Sequence, residues 1–103
     1  MEQRKKLRFE LHLPYEIQPF GGRSRITGYT KNVGAEGVLF ENSTLLSLGE
    51  KIEYYLTLPV GPGALGRVRV YCSGRVVRID ADECAATIET YEMVREIVAS
   101  AAA

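Results

Sequence analysis

A chain of 103 residues is long enough for one hydrophobic core and too short for two, because independent domains seldom contain fewer than about 50 residues. Its composition, 46% hydrophobic and 25% charged residues, excludes the low-hydrophobicity pattern of disordered chains. The net charge is zero, but residues 1–31 contain seven Lys or Arg against three acids, and such a basic patch on a neutral protein favours a small anionic ligand over a long polyanion.

The first predicted element is a basic arm, residues 1–12, which contains the run Arg4-Lys5-Lys6-Leu7-Arg8. Its charges are not followed by an apolar segment, and no stretch approaches the roughly 18 apolar residues of a membrane span, so we expect a cytoplasmic protein. The two arginines are four residues apart, a spacing that places both on one side of a helix or a strand. Each offers a planar fork that can grip phosphate or a guanine edge through two hydrogen bonds. A solvated basic tail is the alternative interpretation.

The segment from Leu13 to Thr90 alternates short runs of β-forming residues with glycine and asparagine, which is typical of a small all-β domain. The pattern predicts six strands, at residues 14–19, 24–32, 37–41, 51–58, 67–79 and 84–90. Ser73-Gly74 should bend the long fifth strand, so that one strand serves two parts of a curved sheet. Six strands with such a bend predict a closed or half-closed β-barrel over residues 13–103.

The core should be lined by the apolar side chains at even positions of Ile52 to Leu58 and of Val68 to Cys72, because alternate residues of a strand face the same side. Cys72 and Cys84 are too few for a disulfide framework and have no histidine or second cysteine at metal-ligand spacing. We expect both to be buried and reduced.

The last predicted element is an α-helix at about residues 90–101. After Thr90 the strand pattern gives way to a helical one, with Thr90 as the candidate N-cap and an acid in the first turn. Tyr91, Val94, Ile97 and Val98 would share one face of this helix and cover the open end of the barrel. We expect the resulting domain to be a monomer.

The second segment with candidate chemistry is Asn32-Val33-Gly34-Ala35-Glu36-Gly37, between two predicted strands. Asparagine and glycine favour a turn at this point. The glycines would also let a ligand approach backbone amides, and the asparagine side chain can donate to and accept from a base edge. Taken alone, the segment favours a turn over a binding site.

Together the arm and this segment resemble the PilZ family, whose signature is RxxxR in an N-terminal arm followed by [D/N]xSxxG between two strands. Arg4 and Arg8 match the first half. Asn32 and Gly37 match the second half, in which Gly34 stands where the family has serine. Leu48-Gly49-Glu50, the Gly74 to Arg78 strand and the closing helix extend the resemblance over the whole chain.

The resemblance implies a six-stranded barrel with a C-terminal helix, in which the arm folds over the bound second messenger cyclic di-GMP. Because residues 1–8 offer one strongly apolar residue to bury, we expect the arm to be mobile without the ligand. Arg4 and Arg8, with Lys5 beside them, would hold phosphates and guanine edges. Asn32, Gly34 and Gly37 would meet the other side of a guanine. Arg78 would stack on a base. The ordered arm would then present a changed surface to a downstream protein partner.

Three other functions can be compared with the receptor. Because Gly34 replaces the serine of the family signature, an alternative function stays open, that of a degenerate PilZ-like adaptor, which binds a protein partner and no nucleotide. A nucleic-acid-binding barrel would rest on the basic arm and on Tyr54, Tyr55 and Tyr71 as a stacking platform, but the acidic second half of the chain disfavours it. An enzyme is not expected, because the single histidine, His12, has no motif for a catalytic relay. No cofactor is expected.

Overall fold

The computed structural model describes residues 8–19, 24–41, 46–61, 63 and 66–97. Eight β-strands account for most of these residues: β1 (Arg8–Phe9), β2 (Pro14–Pro19), β3 (Ile26–Gly34), β4 (Gly37–Glu41), β5 (Lys51–Leu58), β6 (Gly66–Ile79), β7 (Glu83–Thr87) and β8 (Thr90–Ile97). None of the described residues is helical, so this part of the chain contains no helix that could cross a membrane. All six predicted strands are present.

Six of the strands close into an antiparallel barrel. β2 pairs with β3 on one side and with β5 on the other, β5 pairs with β6, and β6 pairs with β7. β4 then closes the ring by pairing with both β7 and β3. The predicted six-stranded barrel is therefore confirmed, and β1 and β8 are additions to it, on β3 and β6 respectively.

The long strand β6 bends at Gly74, as the sequence predicted. Residues 68–75 pair with β5, whereas residues from Val76 onward pair with β7. A β-carbon on Gly74 would collide with the backbone carbonyl oxygen of Thr87, and the same oxygen accepts a hydrogen bond from the Tyr54 hydroxyl at 2.9 Å. Glycine is required here because the two backbones approach too closely for any side chain.

The core lies inside this ring and contains the predicted even positions of β5. Ile52 and Tyr54 are fully buried. The Phe40 ring meets the ring of Tyr15 edge-on at 4.7 Å and that of Tyr54 at 5.1 Å, the geometry that aromatic pairs prefer. Burial of each such side chain contributes about 1.5–3 kcal/mol to folding. Cys72 and Cys84 are buried and free, as expected.

The predicted C-terminal helix is wrong for residues 90–97, which form strand β8; residues 98–101 lie outside the described part of the chain. β7 pairs with β6 only from Val76 onward, so residues 66–73 of β6 keep an edge that β8 fills. Two charge-assisted hydrogen bonds fasten the pairing, since the Glu96 carboxylate accepts from Arg67 at 2.7 Å and from Arg69 at 2.8 Å. Strand pairing thus outweighs a modest local helix propensity.

The open end of the barrel consequently has no helix over it among the described residues. It forms an apolar groove of about 320 Å³, whose walls include Leu13, Val33, Leu56 and Val70. Tyr91, predicted to point into this end from a helix, instead stands at the side of the groove with 70% of its surface exposed.

Candidate functional site

The two halves of the predicted signature meet where the arm joins the barrel. β1 lies antiparallel to the end of β3, which sets Arg8 opposite Gly34 and Phe9 opposite Val33. The Arg8 Nε group donates a hydrogen bond to Asn32 Oδ1 at 3.2 Å. Arg8, Asn32 and Gly34 therefore lie together on one surface, although 24 positions of sequence separate the first two.

A buried threonine, which the sequence analysis did not single out, holds the end of the arm in place. Thr30 is fully buried, and its hydroxyl accepts a hydrogen bond from the Leu13 amide at 2.9 Å and donates one to the Leu11 carbonyl. The Thr30 amide in turn donates to the Leu13 carbonyl at 2.9 Å. These three bonds fix the backbone at residues 11–13, and with it the direction in which the arm leaves the barrel. The signal in the sequence is a polar residue two positions before Asn32. A register shift in β3 between Thr30 and Asn32 places Thr30 inside the barrel and Asn32 outside it, although the two are only two positions apart.

The outer surface beside Asn32 is a row of four side chains that spans four strands. Strand register sets Asn32 opposite Leu39, Leu39 opposite Ala85, and Ala85 opposite Arg78. The neighbours of Leu39 in the chain, Val38 and Phe40, are fully buried, so the row faces outward because residues alternate along a strand. We call these four residues the outer row. Its ends are about 14 Å apart, at roughly 4.8 Å per strand.

The outer row has the chemistry of a platform for a flat ring. Leu39 and Ala85 are partly exposed and apolar. Their side chains are short, so a planar ring can lie on this part of the sheet. Asn32, with Arg8 bonded to it, stands at one end, and Arg78 stands at the other with about half of its side chain exposed. A planar base lying on the apolar centre would have the hydrogen-bonding groups of Asn32 and Arg8 at one edge, and the planar guanidinium of Arg78 at the other end of the row would be placed to stack on a base.

Two carboxylates hold Arg78 at its end of the row. Its Nε lies 3.1 Å from an Asp80 oxygen, and its Nη2 lies 3.3 Å from an oxygen of Glu83. The other Glu83 oxygen accepts from Lys31 Nζ at 2.8 Å. This hydrogen bond raises the pKa of Lys31 and lowers the pKa of Glu83. Lys31 and Glu83 are therefore both charged near neutral pH, and the contacts with Asp80 and Glu83 orientate the guanidinium of Arg78.

The two glycines of the predicted loop have different roles. Gly37 pairs with Thr87, and a β-carbon on it would lie 2.9 Å from the Ala86 carbonyl oxygen, so Gly37 lets β4 and β7 approach closely. Gly34 is not among the glycines with positive φ, which in the described residues are Gly49 and Gly63. Its backbone conformation is thus open to other residues.

The remaining predicted ligand residues, Arg4 and Lys5, lie outside the described residues. At the end of the arm, Arg8 and Phe9 pair with β3. The segment predicted as an arm, residues 1–12, thus contains the two-residue strand β1.

The tyrosines considered as a stacking platform for nucleic acid do not form one. Tyr54 is fully buried in the core. Tyr55 and Tyr71 do lie together, with ring centroids 5.1 Å apart, but the Arg69 guanidinium covers the Tyr55 ring at 4.0 Å. The three rings thus do not share one exposed surface.

Comparison with known proteins agrees with this fold. The family model described as PilZ domain matches residues 2–98. A solved structure of the Bacillus subtilis inhibitor of motility (MotI/DgrA) is similar, with a TM-score of 0.71 and 20% sequence identity over 89% of this chain. The match covers 45% of that protein, so the chain spans less than half of its length. A search of curated proteins found no match.

Proposed function

The chain belongs to the PilZ domain family, whose members are non-catalytic receptors for cyclic di-GMP, and we propose that it binds this dinucleotide. It would do so in the bacterial cytoplasm and relay the signal to a downstream protein. The proposed site is the surface formed by Arg8, Asn32, Gly34 and the outer row. Arg4 and Lys5 belong to the same proposed site through their place in the arm.

The hydrogen bond between Arg8 and Asn32 is the observation that carries this proposal. It uses only the Nε donor of the guanidinium, and within the described residues the two Nη groups make no further hydrogen bond. Those groups present a planar fork of the kind that grips phosphate or the O6 and N7 atoms of guanine. Asn32 thereby holds the arginine at the edge of the outer row, where an anionic nucleotide would lie.

The outer row supplies the second part of the proposed site. A guanine laid on Leu39 and Ala85 would bury apolar surface against its ring. Arg78, held by Asp80 and Glu83, would contribute a flat cation for stacking. Gly37 acts indirectly in this arrangement, because its close contact with β7 keeps the two central strands of the row together.

In this proposal the arm transmits the binding signal to the partner protein. Residues 11–13 are fixed by Thr30, and β1 crosses the end of β3 next to the proposed site. A ligand gripped by Arg4 and Arg8 would tie the residues that precede β1 to the barrel surface. This would change the surface that a partner protein meets, without a rearrangement of the barrel.

A PilZ-like adaptor without nucleotide binding is the second candidate function, and Gly34 is the observation that favours it. The glycine removes a serine hydroxyl that the family signature contains. A neutral hydrogen bond contributes about 0.5–1.5 kcal/mol, which corresponds to roughly two- to tenfold in affinity. A loss of this size weakens a site that retains both arginines and does not abolish it, so we favour the receptor.

Calorimetric titration of the unmodified protein with cyclic di-GMP tests the proposal. We expect saturable, exothermic binding that weakens as salt is added, because the ligand carries two phosphates. Cyclic di-AMP, with the same phosphates and without guanine O6, should bind more weakly. The absence of heat with either dinucleotide would support the adaptor in place of the receptor.

A further inference from the structure

Strand β8 has an edge available for pairing with another strand. One edge of β8 pairs with β6 along residues 66–73, and no strand among the described residues pairs with the other. The strand contains neither proline nor glycine. Two large apolar side chains on it are exposed, Tyr91 at 70% and Met93 at 58%. Natural proteins usually protect such an edge, because its unpaired amides and carbonyls are a template for a further strand.

We propose that the partner of this edge is β8 of a second copy of the chain. The two strands would run antiparallel about a two-fold axis perpendicular to the sheet, and they would join the β5, β6 and β8 strands of both copies into one continuous sheet. Such an interface is isologous, so the sequence of β8 must be complementary to itself. This inference is independent of nucleotide binding.

The register of the pairing follows from symmetry and charge. Directly opposed residues in an antiparallel pair have their side chains on the same face of the sheet, and faces alternate along each strand. A two-fold axis perpendicular to the sheet leaves each side chain on its own face. The axis must therefore pass through a residue position and not between two residues. Axes at Glu92, Met93, Val94 or Arg95 keep most of the strand paired. An axis at Glu92 or at Arg95 opposes that residue to its own copy, and an axis at Val94 opposes Glu92 to Glu96. Directly opposed like charges destabilise a sheet, so only the axis at Met93 remains.

The register about Met93 also creates favourable contacts. The two Met93 side chains face each other at the axis, and Tyr91 of each copy lies opposite Arg95 of the other, which is the arrangement for a cation–π contact. Glu92 lies opposite Val94, and Glu96 opposite Thr90. The ion pairs of Glu96 with Arg67 and Arg69 can persist, because they lie between β8 and β6.

The expectation of a monomer assumed a helix at residues 90–101, which would have offered no strand edge. The strand observed over residues 90–97 changes that expectation. A single pair of strands buries less surface than a standard stable interface of about 1,600 Å². We therefore expect a dimer whose population rises with protein concentration.

Cysteine cross-linking tests the proposed register. The native Cys72 and Cys84 are 1% exposed, and burial raises the pKa of each thiol to about 11, so neither should react in the folded protein. In the Met93→Cys variant the two new thiols would face each other across about 5 Å of backbone separation, within disulfide range. In the Arg95→Cys control they would be roughly 13 Å or more apart along the strands, out of range.

Mild oxidation of concentrated, folded protein should give a disulfide-linked dimer from Met93→Cys and little from Arg95→Cys. Sedimentation velocity should show concentration-dependent dimerisation of the unmodified protein, which Met93→Lys abolishes by opposing two charges at the axis. Equal cross-linking of the two cysteine variants would overturn the register. A monomer at every concentration, or a dimer unaffected by Met93→Lys, would overturn the interface itself, and a melting curve of Met93→Lys checks that this variant is folded.

Discussion

Arg8 and Asn32 are joined by a hydrogen bond of 3.2 Å between the guanidinium Nε and the amide oxygen. One residue belongs to the arm and the other to β3, and the two come from different halves of the signature in the sequence. Through this bond Asn32 orientates the arginine beside it, a role separate from the ligand contact that we propose for Asn32. The effects of changing these two residues should therefore depend on each other.

Gly34→Ser should strengthen cyclic di-GMP binding. The substitution restores the hydroxyl of the family signature, and Gly34 does not have the positive φ that would make a side chain costly. We expect a gain of about two- to tenfold in affinity, the equivalent of one neutral hydrogen bond. Calorimetric titration at fixed salt measures the change. An unchanged or weaker affinity, at an unchanged melting temperature, would mean that position 34 does not face the ligand.

Thr30→Val should loosen the segment that leads into the arm. Valine has nearly the same shape but cannot bond the Leu13 amide or the Leu11 carbonyl, which leaves a buried donor without its partner at a cost of about 1–3 kcal/mol in the free energy of unfolding. Amide exchange at Leu13 should accelerate more than exchange in β5. The matched control is Thr27→Val, at an exposed position of the same strand. Equal protection of Leu13 in both variants would exclude the proposed anchoring role.

Gly74→Ala should be the most damaging of the conservative changes in the barrel. The new methyl group would collide with the Thr87 carbonyl at the bend of β6, and overpacking of this kind costs about 1–3 kcal/mol or more. Gly61→Ala is the control, because a β-carbon there meets nothing within 4 Å. Urea unfolding of both variants gives the comparison. Equal stability of the two would show that β6 and residue 87 are less closely apposed than described.

Acid should weaken the ion pairs around Glu83. Its hydrogen bond with Lys31 lowers the pKa of the carboxyl below its ordinary value of 4.5, so this stabilisation is complete above pH 4.5 and is lost as the pH falls through the lowered value. Glu83→Gln should therefore lower the melting temperature at neutral pH and approach the unmodified protein in acid. Glu92→Gln removes an exposed carboxylate that has no ion pair among the described residues and serves as the control. A constant difference across the pH range would contradict the assignment.

The barrel strands were predictable because their signals are local. Alternating apolar residues in β5 mark its inward face, and Ser73-Gly74 marks the bend of β6. Strand β8 was not predictable in this way, because its segment has a pattern compatible with a helix. Its conformation depends on the free edge of β6 at residues 66–73, which exists only after β7 has paired further along. No local pattern contains that information.

The proposed site was predictable from the sequence only where its residues carry distinctive chemistry. Arg8, Asn32 and Gly34 belong to a motif and were found to lie together. Leu39 and Ala85 have no chemistry that identifies them, and their place in the outer row follows from strand register alone. The family resemblance suggests Arg78 as a stacking residue, and only the strand register shows that Arg78 shares a surface with Asn32.

The most direct test of the proposed receptor is a double-mutant cycle on Arg8 and Asn32, measured by calorimetric titration with cyclic di-GMP. Arg8→Ala should weaken binding by roughly ten- to a hundredfold, the cost of a charge-assisted contact of about 1.5–3 kcal/mol, and Asn32→Ala should weaken it less. The double variant should lose less than the sum of the two, because Asn32 acts partly through Arg8. Arg25→Ala removes an equally charged, exposed residue paired with Glu16 on the other part of the sheet and should bind nearly as well as the unmodified protein. Binding that survives Arg8→Ala as well as it survives Arg25→Ala would contradict the proposed site.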